Sequence, residues 1–213
     1  FQALAVMDGV ITRPEGPKQV ILLLHGLNER GRRIYRKLSP YLPTDALILA
    51  PNAPFPLPRV KDQKVDLGFC WYFFDPFEKK YYLNQDMAIS WMLQLLKMHN
   101  PNNLPVTIIG FSQGGYLAPL LGKELPNTKL VIGICCEFRN NLIKGPLSFN
   151  LEAIHGSNDA VITPESAQRE ISLLKENNIK SGWHLIEETA HQITSQVGVK
   201  VRELLEAHGK RSL

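Results

Sequence analysis

Residues 106–115 read VTIIGFSQGG. Val106 to Ile109 are residues that fill a pleated, buried surface, and they run straight into Gly110. A single serine, Ser112, follows, with Gly110 and Gly114 two positions to either side. The pattern Gly-x-Ser-x-Gly between a strand-like and a helix-like run fits a nucleophile elbow, in which a strained turn lifts the hydroxyl off the end of the sheet. Side chains at 110 and 114 are expected to collide across so tight a turn, and Gly115 to let the following helix approach the sheet. The other reading is a glycine-rich turn with an incidental serine. The flanking runs favour the elbow.

Working outward, further short apolar runs stand at 19–24 (QVILLL), 45–50 (DALILA), 129–134 (KLVIGI), 151–156 (LEAIHG) and 183–188 (WHLIEE). Runs of this kind are typical of strands buried on both faces of a parallel sheet. Helical stretches are expected at 30–42, 84–99, 113–125, 163–177 and 192–208. Thr163, Pro164 and Glu165 form an N-cap, a first-turn proline and an acid matched to the helix dipole. Strand and helix in alternation predict an α/β fold with a mostly parallel central sheet, flanked by helices on both faces. One domain is expected over 1–213. Residues 51–83 break the rhythm with a proline-punctuated, aromatic stretch, and a compact domain seldom carries so long a connection without a use for it. We read 55–83 as a cap or substrate-binding excursion, against an excursion whose aromatics merely pack on the body.

A serine hydroxyl needs a base, and the base an orienting carboxylate. In this chain order acid and histidine follow the serine, each just past a strand end. LEAIHG is followed by SNDAVI, offering Asp159, and WHLIEE by TAHQIT, offering His191. His25 and His99 precede the acid, His155 and His184 fall within strands, and His208 lies in the polar tail. Glu187 and Glu188 stand too close to His191 to orient it. His155 is read as structural, tying down the loop that holds Asp159. The oxyanion needs backbone donors, each worth on the order of 3 kcal/mol. Gln113, after the nucleophile, offers one. Leu27, in LLLHGLNERG at 22–31, offers the other, unless His25-Gly26 is a plain strand-to-helix turn.

Composition excludes several classes. The chain has 213 residues, 44% hydrophobic and 21% charged, with a formal charge of +4. This is ordinary globular composition with room for a core. The basic run ERGRRIYRK at 29–37 reads as a solvated helix face, with an anionic-lipid docking surface as the second reading. No aromatic-rich basic motif suggests nucleic acid. Cys70, Cys135 and Cys136 give neither a disulfide framework nor a zinc spacing, and are read as reduced, in keeping with a cytoplasmic location. No apolar run reaches the ~18 residues of a membrane span. No basic-then-apolar leader stands at the N-terminus, and with Phe1 in place of Met the natural start is left open.

Together the blocks LLLHGLNERG, APNAP (50–54), GFSQGG (110–115), HGSNDAVIT (155–163) and AHQIT (190–194) resemble the phospholipase/carboxylesterase family of α/β-hydrolases, which includes acyl-protein thioesterases. The resemblance implies an α/β-hydrolase fold with Ser112, Asp159 and His191 as triad, and Leu27 and Gln113 amides as oxyanion hole. The expected chemistry is independent of any cofactor, and no paired His/Asp spacing suggests a metal site. The chain departs from the family at Asn28 and Glu29, where a small acidic turn is usual, at Asn52, where the family has histidine, and at ETAH before the base. Trp71, Phe73 and Leu57 are the substrate-binding candidates. The expected activity is hydrolysis of carboxylic esters or thioesters, on a small-molecule or acylated substrate. A serine peptidase and a non-catalytic ligand-binding homologue are the alternatives, and a homodimer is left open.

Overall fold

The computed structural model describes residues 9–75 and 77–209. Three strands come first: β1 (Val10–Thr12), β2 (Gln19–Leu24) and β3 (Ala46–Ala50). Two hairpins follow, β4 (Phe55–Lys61) with β5 (Lys64–Cys70), and β6 (Phe73–Asp75) with β7 (Lys80–Leu83). Then come β8 (Val106–Phe111), β9 (Thr128–Ile134), β10 (Asn150–Gly156) and β11 (Ser181–Ile186). Seven of these form one sheet in the order β1-β3-β2-β8-β9-β10-β11, parallel throughout except that β1 runs antiparallel on β3.

The helices are α1 (Gly31–Leu38), continued by a 3₁₀ turn at Ser39–Tyr41, α2 (Asp86–His99), α3 (Gln113–Lys123), α4 (Pro164–Glu176) and α5 (Ser195–Gly209). Side chains alternate across each strand, so β2 feeds two cores. Val20, Leu22 and Leu24 pack with α2, α3 and α4 through Met92, Leu117 and Leu174. Ile21 and Leu23 pack on the opposite face with α1 and α5 through Ile34, Leu38, Val197 and Val201. The α4 start follows the sequence reading: Thr163 Oγ1 accepts the Ser166 N–H at 3.4 Å and Pro164 occupies the first turn.

Two features differ from expectation. The strand expected at 183–188 begins at Ser181, and it is half-exposed because β11 is the sheet edge, with α4 packed against it. β1, three residues long, is too short for a periodic signal. The 55–83 excursion resolves into the two hairpins. Its residues Phe69, Trp71 and Tyr72 enter the core beside β2 and α3.

Candidate active site

β8 ends in the tight turn that the glycines predicted. Ser112 has φ 49° and ψ −118°, a left-handed conformation that a non-glycine residue adopts only at a cost. Its N–H donates to Ile134 O at 2.9 Å, fixing the turn to β9. A Cβ at Gly110 would lie 2.3 Å from Gly114 O, as a collision across the turn requires. A Cβ at Gly114 would instead meet Leu24 O at 2.3 Å, so this glycine clears the neighbouring strand rather than Gly110. Gly115 would meet Cys136 Sγ at 2.5 Å, which agrees with close helix–sheet approach.

The structure brings Ser112, His191 and Asp159 together from three strand ends. Ser112 Oγ lies 3.0 Å from His191 Nε2, and His191 Nδ1 lies 2.8 Å from Asp159 Oδ2. A carboxylate only accepts, so Nδ1 carries the hydrogen and Nε2 is left to accept from the serine hydroxyl. The His191 ring packs on Phe111 with centroids 5.2 Å apart. Asp159 is almost wholly buried, and its Oδ1 accepts the Val161 and Ile162 N–H groups, both at 2.9 Å. Burial alone raises its pKa. The Ile162 N–H, the His191 bond and charge, and the Val161 N–H outweigh burial and leave it below the usual carboxylate range.

His155 is buried, donates from Nε2 to Ile162 O at 2.8 Å and stacks on Trp183, so it anchors the Asp159 loop as read from the sequence. Behind the acid, the donor atoms of Cys135, Asp159 and His191 lie within 4.8 Å of one another, the one such cluster among the described residues. Two of its three donors are already bonded to each other, so the cluster is not an open metal site. Burial, then the charge and hydrogen bond of Asp159, push the Cys135 thiol up to about 12. All three cysteines are buried and free.

Leu27 is exposed in the loop after β2, and Gln113 opens α3. Among the described residues neither backbone N–H has a protein acceptor. The loop is held from both sides. The Asn28 N–H donates to Phe69 O at 2.8 Å and the Phe69 N–H to Glu29 O at 3.1 Å, which stitches the loop to β5. His25 is fully buried: Nδ1 donates to Gly26 O at 2.7 Å and Nε2 accepts the Ala53 N–H at 2.9 Å. Burial lowers its pKa to about 4, so it is neutral at physiological pH. Asn52 accepts the Gly31 N–H at 2.9 Å, which gives this departure from the resembled family a helix-anchoring place.

Trp71 does not line an acyl site as expected. It has no exposed surface, and its indole N–H donates to His25 O at 2.8 Å. The Gln113 side chain clasps the same segment, accepting the Trp71 N–H and donating to Tyr72 O, both at 2.9 Å. Phe73 is exposed against Tyr82, and Leu57 is half-buried on β4. No hydrogen bond or ring contact among the described residues brings either to Ser112 or His191. The sequence reading missed His25 and the Gln113 side chain as supports. A histidine closing the apolar run QVILLL, one residue before Gly26, was the signal available for the first.

No curated protein matches the chain. Among solved structures, esterase PE8 superposes with a TM-score of 0.73 at 20% identity, over 94% of this chain and 98% of that one. Zea mays acyl-protein thioesterase 2 superposes with a TM-score of 0.74 at 20% identity, over the same shares of the two chains. Thermus thermophilus TT1662 gives 0.68 at 18%, over 93% of this chain and 92% of that one. These likenesses establish the α/β-hydrolase fold. Among the described residues no helix is long and apolar enough to cross a membrane. A family model for the FSH1 serine hydrolases matches residues 15–193, which is most of the chain, and the chain therefore belongs to the FSH1 serine hydrolase family.

Proposed function

We propose that this serine hydrolase cleaves carboxylic esters or thioesters through an acyl-enzyme on Ser112. The observation that carries the reading is His191, hydrogen-bonded on one side to Asp159 and on the other to Ser112. Ser112 Oγ attacks the acyl carbon as its proton passes to His191 Nε2, while Asp159 stabilises the imidazolium. The tetrahedral oxyanion is held by the Leu27 and Gln113 N–H groups. His191 protonates the leaving oxygen or sulfur, and the carbon–heteroatom bond breaks. Water then loses a proton to His191 and attacks the acyl-enzyme, releasing the carboxylic acid and restoring Ser112. No step calls for a cofactor. In this reading the chain is one hydrolase domain, with 55–83 as the element bracing the oxyanion loop and bordering the substrate.

Rapid mixing with a nitrophenyl ester, followed by quenching and intact mass, tests the proposal. A burst of nitrophenol with an acyl adduct mapped to Ser112 is expected. Turnover with the adduct on another residue would contradict it.

A further inference from the structure

Beside the nucleophile lies a second constellation that the proposed chemistry does not use. Arg139, in the loop after β9, sets its guanidinium over two aromatic rings, 5.1 Å from the Tyr116 centroid and 5.6 Å from that of Phe74. Rings on its faces hold the planar fork in place but take none of its edge donors. Among the described residues Arg139 has no ion pair, and its side chain has no hydrogen-bond acceptor. Glu137, whose charge also reaches Tyr116, is engaged by the Ser166 hydroxyl instead.

Two tyrosine hydroxyls share this condition. Tyr72 is almost buried and Tyr116 half-buried, and neither hydroxyl has a hydrogen-bond partner among the described residues. Both hydroxyl oxygens keep contact with solvent, so each is free to meet a ligand. Burial raises both phenols by more than the Arg139 charge lowers them, so both stay protonated donors at neutral pH. Tyr72, Tyr116 and Arg139 line one pocket with Tyr81, Gln85 and Leu142.

That pocket is built on the nucleophile's own supports. Tyr116 lies one turn along α3 from Ser112, with its N–H on Ser112 O at 3.2 Å, a rise of about 6 Å along the helix axis. The Tyr72 carbonyl accepts from the Gln113 side chain. A fork and two hydroxyls, all donors and all without a protein acceptor among the described residues, suit an acceptor with two oxygens.

We propose that Tyr72, Tyr116 and Arg139 bind a carboxylate at the far end of the acyl chain, so that the preferred substrates are half-esters or half-thioesters of short dicarboxylic acids. This rests on the acyl-enzyme reading above. The test compares mono-4-nitrophenyl glutarate, adipate and suberate with the 4-nitrophenyl esters of pentanoate, hexanoate and octanoate, pairs that differ by a terminal carboxylate in place of a methyl. At one or more lengths the half-ester is expected to have the higher kcat/KM by about tenfold or more, and Arg139→Gln to lower that ratio at least about tenfold. Tyr116→Phe, which removes one oxygen, lowers the ratio in the same direction and serves if Arg139→Gln does not fold.

A wild-type ratio at or below one at every length overturns the proposal. So does a ratio that the variants leave unchanged. In both cases continued turnover of the neutral esters leaves the hydrolase reading standing. If neither class is turned over and Ser112 takes no fluorophosphonate, both readings fall together.

Discussion

The indole N–H of Trp71 donates to the carbonyl of His25 at 2.8 Å, with the two rings 5.0 Å apart. One residue joins the two hairpins of the excursion; the other directly follows β2 and opens the loop carrying Leu27. The bond couples the excursion to the proposed oxyanion hole. His25 in turn holds Gly26 and Ala53, and Gln113 grips Trp71 and Tyr72. Both proposed oxyanion amides therefore belong to residues or loops braced by the same short segment.

Gly68 tests that coupling from the hairpin side. A Cβ there would lie 1.8 Å from Asn28 Oδ1 and 2.6 Å from Asn28 O, so Gly68→Ala must displace the loop proposed to hold the oxyanion. Loss of one oxyanion donor costs on the order of 10²–10³ in kcat. Gly68→Ala is expected to lower kcat by up to roughly that factor while circular dichroism and gel filtration stay those of the parent. A variant with the parent's kcat would show that β5 does not set the loop's position.

His25 makes stability depend on pH. Its folded pKa of about 4 lies below the ordinary 6.5, so below pH 6.5 the unfolded chain takes a proton that the folded chain refuses. Stability is complete above pH 6.5, falls as pH drops from 6.5 to about 4, and loses no more from this group below that. The window is worth on the order of 3 kcal/mol. Asp159 and Glu152, both held below the carboxylate range, add their losses only at lower pH. Urea midpoints at pH 7, 5.5 and 4.5 measure the slope. His25→Gln is expected to be less stable at pH 7 but flatter across that range; an equal slope in both proteins would remove His25 as its source.

The thiols should be silent in the native state. Burial pushes Cys70 up to about 11 and Cys135 to about 12, and Cys136 is also raised. Iodoacetamide at pH 8 is expected to leave the folded chain unlabelled and to add three groups in guanidinium chloride. Rapid native labelling of Cys135 would contradict the burial described here.

How far this site was legible follows from the kind of signal each part leaves. Ser112, Asp159 and His191 could be named because an elbow, a chain order and strand ends each leave local marks. The five buried strands β2, β3, β8, β9 and β10 were visible as apolar runs, while β1 was too short and edge strand β11 too exposed to be placed well. Trp71 shows the limit. An aromatic in an unusual loop looks the same in sequence whether it faces a ligand or a carbonyl, and only packing put its indole on His25. The Gly114 clearance was misassigned for the same reason, since Leu24 O belongs to a neighbouring strand 90 residues away.

Asp159→Asn separates orientation from folding. The amide keeps the shape but offers His191 the wrong partner, which elsewhere costs about 10⁴ in kcat. A loss of roughly 10³–10⁵ is expected, with fold retained by circular dichroism. A loss below tenfold would mean that His191 does not need this acid.

The central claim, that Ser112 is an activated nucleophile, is tested most directly by brief exposure to a fluorophosphonate, with intact mass and peptide mapping, alongside Ser112→Ala. The account predicts one adduct on Ser112, none on the variant, and a fall in ester turnover of roughly 10⁴-fold or more with the fold unchanged. No adduct on folded wild-type protein, or ester hydrolysis that survives Ser112→Ala, would contradict it.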